Sequence, residues 1–184
     1  QAMTADILLQ TLASGVLIGL IYALVANGLT MIFGVMDIVN FAHGEFLMLG
    51  MYASFWLFAL FALDPMLTLP LTVLMLFAFG VLLYKFVIRR IIDAPMLSQI
   101  FTTFGLMILL RGAAQFLWKP DFRSIENSWV SGSVKLFGIQ LGQPQLAAGL
   151  GAIVVTWGVH QFLTRTKLGA ALEATAADKE AAHL

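Results

Sequence analysis

The sequence predicts an all-α, polytopic transmembrane helical bundle, and three observations carry that prediction. Of its 184 residues 60% are hydrophobic and 11% charged, against roughly a half and a quarter in soluble domains. The mean hydropathy is +0.93. The apolar residues also gather into five runs that meet or approach the roughly 20 residues a helix needs to cross a hydrocarbon core: 7–33, 46–63, 66–88, 97–118 and 146–163.

The first run is too long for the apolar stretch of a cleavable signal, has no basic residue before it and leads into further apolar sequence. It reads as the first membrane helix. Asp64-Pro65 marks a tight turn after the second run, because proline disfavours helix at the residue before it. Small residues such as Gly15, Gly19, Gly28, Gly50, Gly80 and Gly149 recur inside the runs, where they let membrane helices approach closely. Together the five runs and their connections, the longest of them over residues 119–145, form a transmembrane core over residues 1–163.

Charge gives an orientation. Lys85, Arg89 and Arg90 close the third run, and Arg165 and Lys167 close the fifth. Basic ends of this kind favour the cytoplasmic side, so the N-terminus is expected outside, with the 119–145 connection. Within that connection, Val134 to Leu136 and Ile139 to Leu141 alternate around Gly138, as a short β-hairpin does. Residues 164–184 are alanine-rich and carry Glu173, Asp178, Lys179 and Glu180, which suits a helix at the cytoplasmic face rather than in the bilayer.

The segment Gly34 to Glu45 (GVMDIVNFAHGE) departs from an ordinary cytoplasmic loop. It has no Lys or Arg, and it interleaves Asp37, Asn40, His43 and Glu45 with apolar residues. Non-helical backbone at membrane depth is tolerated only when buried in protein or lining a cavity. A broken or re-entrant element is therefore expected here, with Gly44 as its flexible point. Ionisable residues at membrane depth are candidate functional groups.

Metal ligation by His43 and Glu45 is the weaker reading, since no second histidine lies at helical ligand spacing. Hydrogen bonding to neighbouring helices is the stronger one, and a direct substrate role stays open. Arg111, two turns before Trp118, could pair with a substrate carboxylate, snorkel to the interface or satisfy a carbonyl. Asn27 is equally open between pathway and packing. Cysteine is absent and net charge is zero, which offers no thiolate metal site, disulfide or basic nucleic-acid surface. No phosphate-cradling loop, HExxH or GxSxG is present, so catalysis finds no support.

Gly19 to Phe55 (GLIYALVANGLTMIFGVMDIVNFAHGEFLMLGMYASF) closely resembles the opening of bacterial branched-chain amino-acid ABC transporter permeases of the LivH type, most specifically in NFAHGEF, Asn40 to Phe46. Ile100 to Gly112 (IFTTFGLMILLRG) and Thr164 to Leu184 (TRTKLGAALEATAADKEAAHL) add to the resemblance. It implies an inner-membrane permease for branched-chain or other small neutral amino acids, or urea and amides. A second, related permease, two ATPase subunits and an extracytoplasmic binding protein would be its partners.

ATP-Mg would then act in the partner subunits and no cofactor in this chain. Residues 164–184 resemble the family's cytoplasmic coupling segment, with Glu173, Ala174, Asp178, Glu180 and Ala181 as its contact candidates. Such permeases continue beyond the coupling segment, so the sequence is expected to lack a C-terminal part. An ion-coupled transporter or channel is the competing reading, with Asp37, His43 and Glu45 as a relay.

Overall fold

The computed structural model describes residues 2–125, 128–136 and 139–177. These described residues form six α-helices in chain order: α1 (Ala2–Met36), α2 (His43–Phe61), α3 (Pro65–Phe86), α4 (Met96–Trp118), α5 (Gln143–Arg165) and α6 (Lys167–Ala177). Five described stretches are long and apolar enough to cross a membrane: Ile7–Met36, His43–Phe61, Pro65–Arg90, Met96–Trp118 and Gln143–Arg165. The chain divides into two compact units, Met36–Trp129 and the remainder on either side of it.

In the unit made of the chain's two ends, α1 and α5 pack through a small residue. A Cβ on Gly149 would stand 2.8 Å from the Leu17 side chain. Strands β1 (Ser133–Leu136) and β2 (Ile139–Gly142) pair antiparallel, with Val134 opposite Leu141 and Lys135 opposite Gln140. The expected turn residues, Phe137 and Gly138, lie outside the described residues.

A bend of one residue joins α5 to α6. The Thr166 hydroxyl donates to the Phe162 carbonyl at 2.7 Å and accepts from the Gly169 amide at 2.9 Å. Thr166 therefore closes one helix and caps the next. A Cβ on Gly169 would lie 2.5 Å from Leu163 Cα and on the Phe162 carbonyl. Only glycine fits this corner. Near its far end α6 approaches α1, where a Cβ on Gly34 would meet Ala176 Cβ at 3.4 Å.

In the central unit α2, α3 and α4 pack together. Asp64 caps α3 by accepting from the Met66 amide at 2.9 Å, and Pro65 occupies the first turn, where its missing N–H costs nothing. The turn expected at Asp64-Pro65 is thus present. One turn of 3-10 helix, Ile88–Arg90, follows α3. Gln99 then donates to the Ile92 and Ala94 carbonyls at 3.0 and 3.1 Å, fixing the entry into α4.

Burial runs opposite to that of a soluble protein. Glu45, Thr68, Thr72, Gln99 and Thr103 are buried, while leucines, phenylalanines and valines along every long helix are exposed. Such surfaces suit a hydrocarbon solvent, where apolar side chains need no cover and polar ones must find partners inside.

Several boundaries differ from those the apolar runs predict. The second helix starts at His43 rather than 46, because polar residues in its first turn count against an apolar run but suit a helix N-terminus. It ends at Phe61 rather than 63, where Ala62 takes a left-handed φ of 53°. The fifth begins at Gln143 rather than 146, with Pro144 in its first turn as prolines prefer.

Candidate functional site

The helical interruption is real, but its flexible point is not Gly44. That residue lies in the first turn of α2, and the non-helical backbone runs from Asp37 to Ala42. Asp37 adopts a φ of 59° just after α1, a left-handed conformation that aspartate tolerates better than most residues. Three residues on, Asn40 Oδ1 accepts from the Ala42 amide at 3.0 Å, and the His43 amide donates to the Asn40 carbonyl at 3.2 Å. This side-chain turn starts α2. Polar side-chain chemistry, rather than glycine's freedom, shapes the break.

The break is packed against the middle of a neighbouring helix. Ile38 and Ala42 are fully buried. The Thr103 hydroxyl donates to the Val39 carbonyl at 3.1 Å, and Phe41 meets Phe104 edge to face with centroids 6.3 Å apart. Thr103 lies about 10 Å along α4 from Met96, counting about 1.5 Å per residue. If α4 crosses a bilayer, the irregular backbone therefore sits at membrane depth and is buried in protein, as it must be there.

Two turns higher α2 and α4 are joined by charge. Arg111 Nη2 donates to Glu45 Oε1 at 2.6 Å, with the Glu45 side chain 6% exposed and that of Arg111 57%. The carboxylate also lies in the first turn of α2, where the helix dipole favours negative charge. Arg111 faces an open pocket of 470 Å³ lined also by Met51, Tyr52, Phe55, Gln115 and Arg123. A guanidinium has five N–H donors, so one bond to Glu45 leaves others for a pocket ligand. Tyr52 stacks on Trp118 at 4.6 Å, and this closes α2 on α4 above the pair.

The predicted site residues therefore divide. Glu45 and Arg111 come together. Asn40 shapes the break, and His43 is half-buried one residue past it. Asn27 is half-buried in the last third of α1 and belongs to the other unit. Glu173 and Ala174 are exposed on α6, whereas Asp178, Glu180 and Ala181 lie outside the described residues. Among the described residues no group of three His, Asp or Glu side chains could hold a metal ion.

Sequence reasoning missed two residues. Thr103, which ties the break to α4, looks like any threonine in an apolar run. Asp64 reads as a turn residue, yet it also accepts from the Trp129 amide at 2.6 Å. Burial alone pushes the Asp64 carboxyl up, but bonds from the Trp129 and Met66 amides and the Ser128 side chain outweigh it and hold the group below the usual carboxylate range. A carboxyl lowered in the folded state adds stability above its unfolded pKa and loses it as pH falls through the folded value. The Trp129 tether should accordingly hold at neutral pH and loosen only below about pH 4. Asp64→Asn should speed hydrogen exchange at the Trp129 amide several-fold at neutral pH; unchanged exchange would refute the tether.

Comparison with known proteins places the chain in a family. The family described as branched-chain amino acid transport system / permease component matches residues 11–184. BraD of Pseudomonas aeruginosa, a high-affinity branched-chain amino acid transport system permease protein, is 29% identical over 96% of this chain and 61% of its own length. The LivH permease proteins of Salmonella typhimurium and Escherichia coli K12 are each 27% identical over the same shares. The chain thus spans about 61% of the length of these curated relatives. No solved structure matches. With a family match over nearly all its residues and five described helices of membrane-crossing length, the chain belongs to the family described as branched-chain amino acid transport system / permease component.

Proposed function

We propose that the chain is membrane-spanning permease sequence of an ABC importer in a bacterial inner membrane. Its cargo would be branched-chain or other small neutral amino acids, with urea and amides as related candidates. Partner ATPases using ATP-Mg would drive it, beside a second permease and an extracytoplasmic binding protein. Chemistry on the solute plays no part in this reading. The observation that carries the site is the Glu45–Arg111 pair, set just above the break and facing the 470 Å³ pocket.

A neutral amino acid has a carboxylate, an ammonium and an apolar side chain. Arg111 suits the carboxylate, with donors beyond the one held by Glu45. Met51, Tyr52 and Phe55 suit the apolar side chain, and Asp121 in the same lining suits the ammonium. Glu45 acts as the positioning residue, since without substrate it holds the guanidinium in place. Alternating access needs two conformations that ligands favour differently, and a short irregular segment packed on α4 is a place for them to differ. On the cytoplasmic side α6 presents Glu173 and Ala174 to the ATPases.

Uptake of labelled leucine by proteoliposomes holding the full transporter tests this reading. Uptake that requires both ATP and the binding protein, and falls at least about tenfold in Arg111→Lys through the loss of bidentate geometry, is expected. Uptake driven by an ion gradient alone would replace the importer with an ion-coupled transporter. Cysteines placed singly at the exposed Leu63 and Lys167 of this cysteine-free chain read the orientation in the same vesicles. The proposed topology has position 63 labelled from outside and position 167 from the cytoplasmic side; the reverse pattern overturns it.

A further inference from the structure

A second cavity in the central unit has different chemistry. It is an open groove of 780 Å³ between α2, α3 and α4, and every residue lining it is apolar, including Trp56, Leu60, Phe61, Phe79 and Trp118. Its volume is that of a small-molecule site. An amino acid would find nothing there for its two charged ends. A packed transmembrane helix is also a poor fit, because such interfaces rely on small residues and Ala53 is the one small residue in this lining. A broad aromatic-walled groove suits a flexible hydrocarbon chain.

One end of the groove carries a cation. Arg123 Nη2 donates to the Trp118 carbonyl at 2.7 Å, and its guanidinium lies 5.1 Å from the Trp56 ring centroid and 5.3 Å from that of Phe55. The residue stays exposed. Lys119, also exposed, follows α4 directly, with a φ of 60° and ψ of 157° that turn the chain sharply back. Asp121 is the carboxylate between these two cations. Tryptophan, tyrosine and arginine gathered at a helix end match the level of lipid headgroups.

We propose that this groove holds an acyl chain of an anionic phospholipid whose phosphate is bound by Arg123. The occupant then satisfies two features at once: the apolar walls and the cation at one end. The lipid fastens α2, α3 and α4 together at the face opposite the break. The groove and the solute pocket share no lining residue, although Arg123 lines the pocket and its guanidinium lies over the Trp56 wall of the groove.

The test uses the full transporter in phosphatidylcholine nanodiscs with a minor fraction of brominated-acyl lipid. Trp56 emission is taken as the difference between the parent and Trp56→Phe. Brominated phosphatidylglycerol should compete for the groove about fivefold better than brominated phosphatidylcholine, the preference one basic residue gives for an anionic lipid. Arg123→Gln should abolish the preference and Arg123→Lys retain it. Ala53→Phe, which fills the groove and keeps the cation, should abolish Trp56 quenching by either lipid. Equal quenching by both headgroups would reduce the site to ordinary boundary lipid and overturn the proposal. So would an unquenched Trp56 beside a quenched Trp157, which would show the groove filled by protein.

Discussion

Arg111→Ala should destabilise the central unit by about 3 kcal/mol, near the low end for breaking a buried ion pair. The low end applies because only one partner is deeply buried: Glu45 is 6% exposed and Arg111 57%. The cost comes from the carboxylate left behind. In a protein interior or a bilayer, an uncompensated charge is worse than no charge. Glu45→Gln in the same chain should therefore recover most of the loss, and Glu45→Gln alone should cost less than Arg111→Ala alone. Denaturant melts of the four forms in one detergent give the cycle. A coupling energy below about 0.5 kcal/mol would mean that the two side chains do not stabilise each other.

A neutral amide pair at the same two positions separates stability from transport. Glu45→Gln/Arg111→Gln is expected to be folded and inactive, since it restores a neutral pair but removes the guanidinium that faces the pocket. If it transported normally, Arg111 would be structural only, and the proposed pocket would lose its carboxylate-binding group. An intact fold with lost uptake would place the arginine in the solute pathway.

How much of this was legible beforehand follows from the kind of information each feature needs. The five long helices were legible because apolar runs and helix length are set by the same bilayer thickness. So was the Asp64-Pro65 turn, whose cap and proline act within three residues of each other. The β-hairpin strands followed from alternation, and the unusual nature of the segment around Asn40 from its polar residues and missing cations.

Pairing was not legible. Glu45 and Arg111 lie 66 residues apart, and residue type alone left Arg111 free to snorkel, to cap a carbonyl or to meet a substrate. The misplaced flexible point has a similar origin. Glycine permits a break, but Asp37 and Asn40 make one, through a left-handed backbone and a side-chain turn. Ala62 and Lys119 also take positive φ without any glycine to announce it.

Gly169→Ala should be the most damaging single methyl group in the chain. The segment around it reads as an alanine-rich surface helix, where glycine to alanine would normally add about 1 kcal/mol of helix propensity. The corner reverses that sign. The new Cβ would lie 2.5 Å from Leu163 Cα and on the Phe162 carbonyl, and both are backbone of α5, so no side chain can swing away. Either α6 shifts, or the bonds Thr166 makes to Phe162 and Gly169 break. Each outcome moves Glu173 relative to the end of α5.

The expected result is a chain that still inserts, because the apolar sequence of α1 to α5 is unchanged, but that no longer retains the ATPase subunits on purification. ATP-dependent uptake should fall at least about tenfold. Gly34→Ala makes the useful control, since its Cβ would meet Ala176 at an ordinary 3.4 Å and should cost little. Thr166→Val, which removes both hydroxyl bonds but fits the space, should weaken ATPase retention by less than Gly169→Ala. If Gly169→Ala kept full coupling, the position of α6 would not matter to the ATPases. The coupling role would then have to lie elsewhere in the chain.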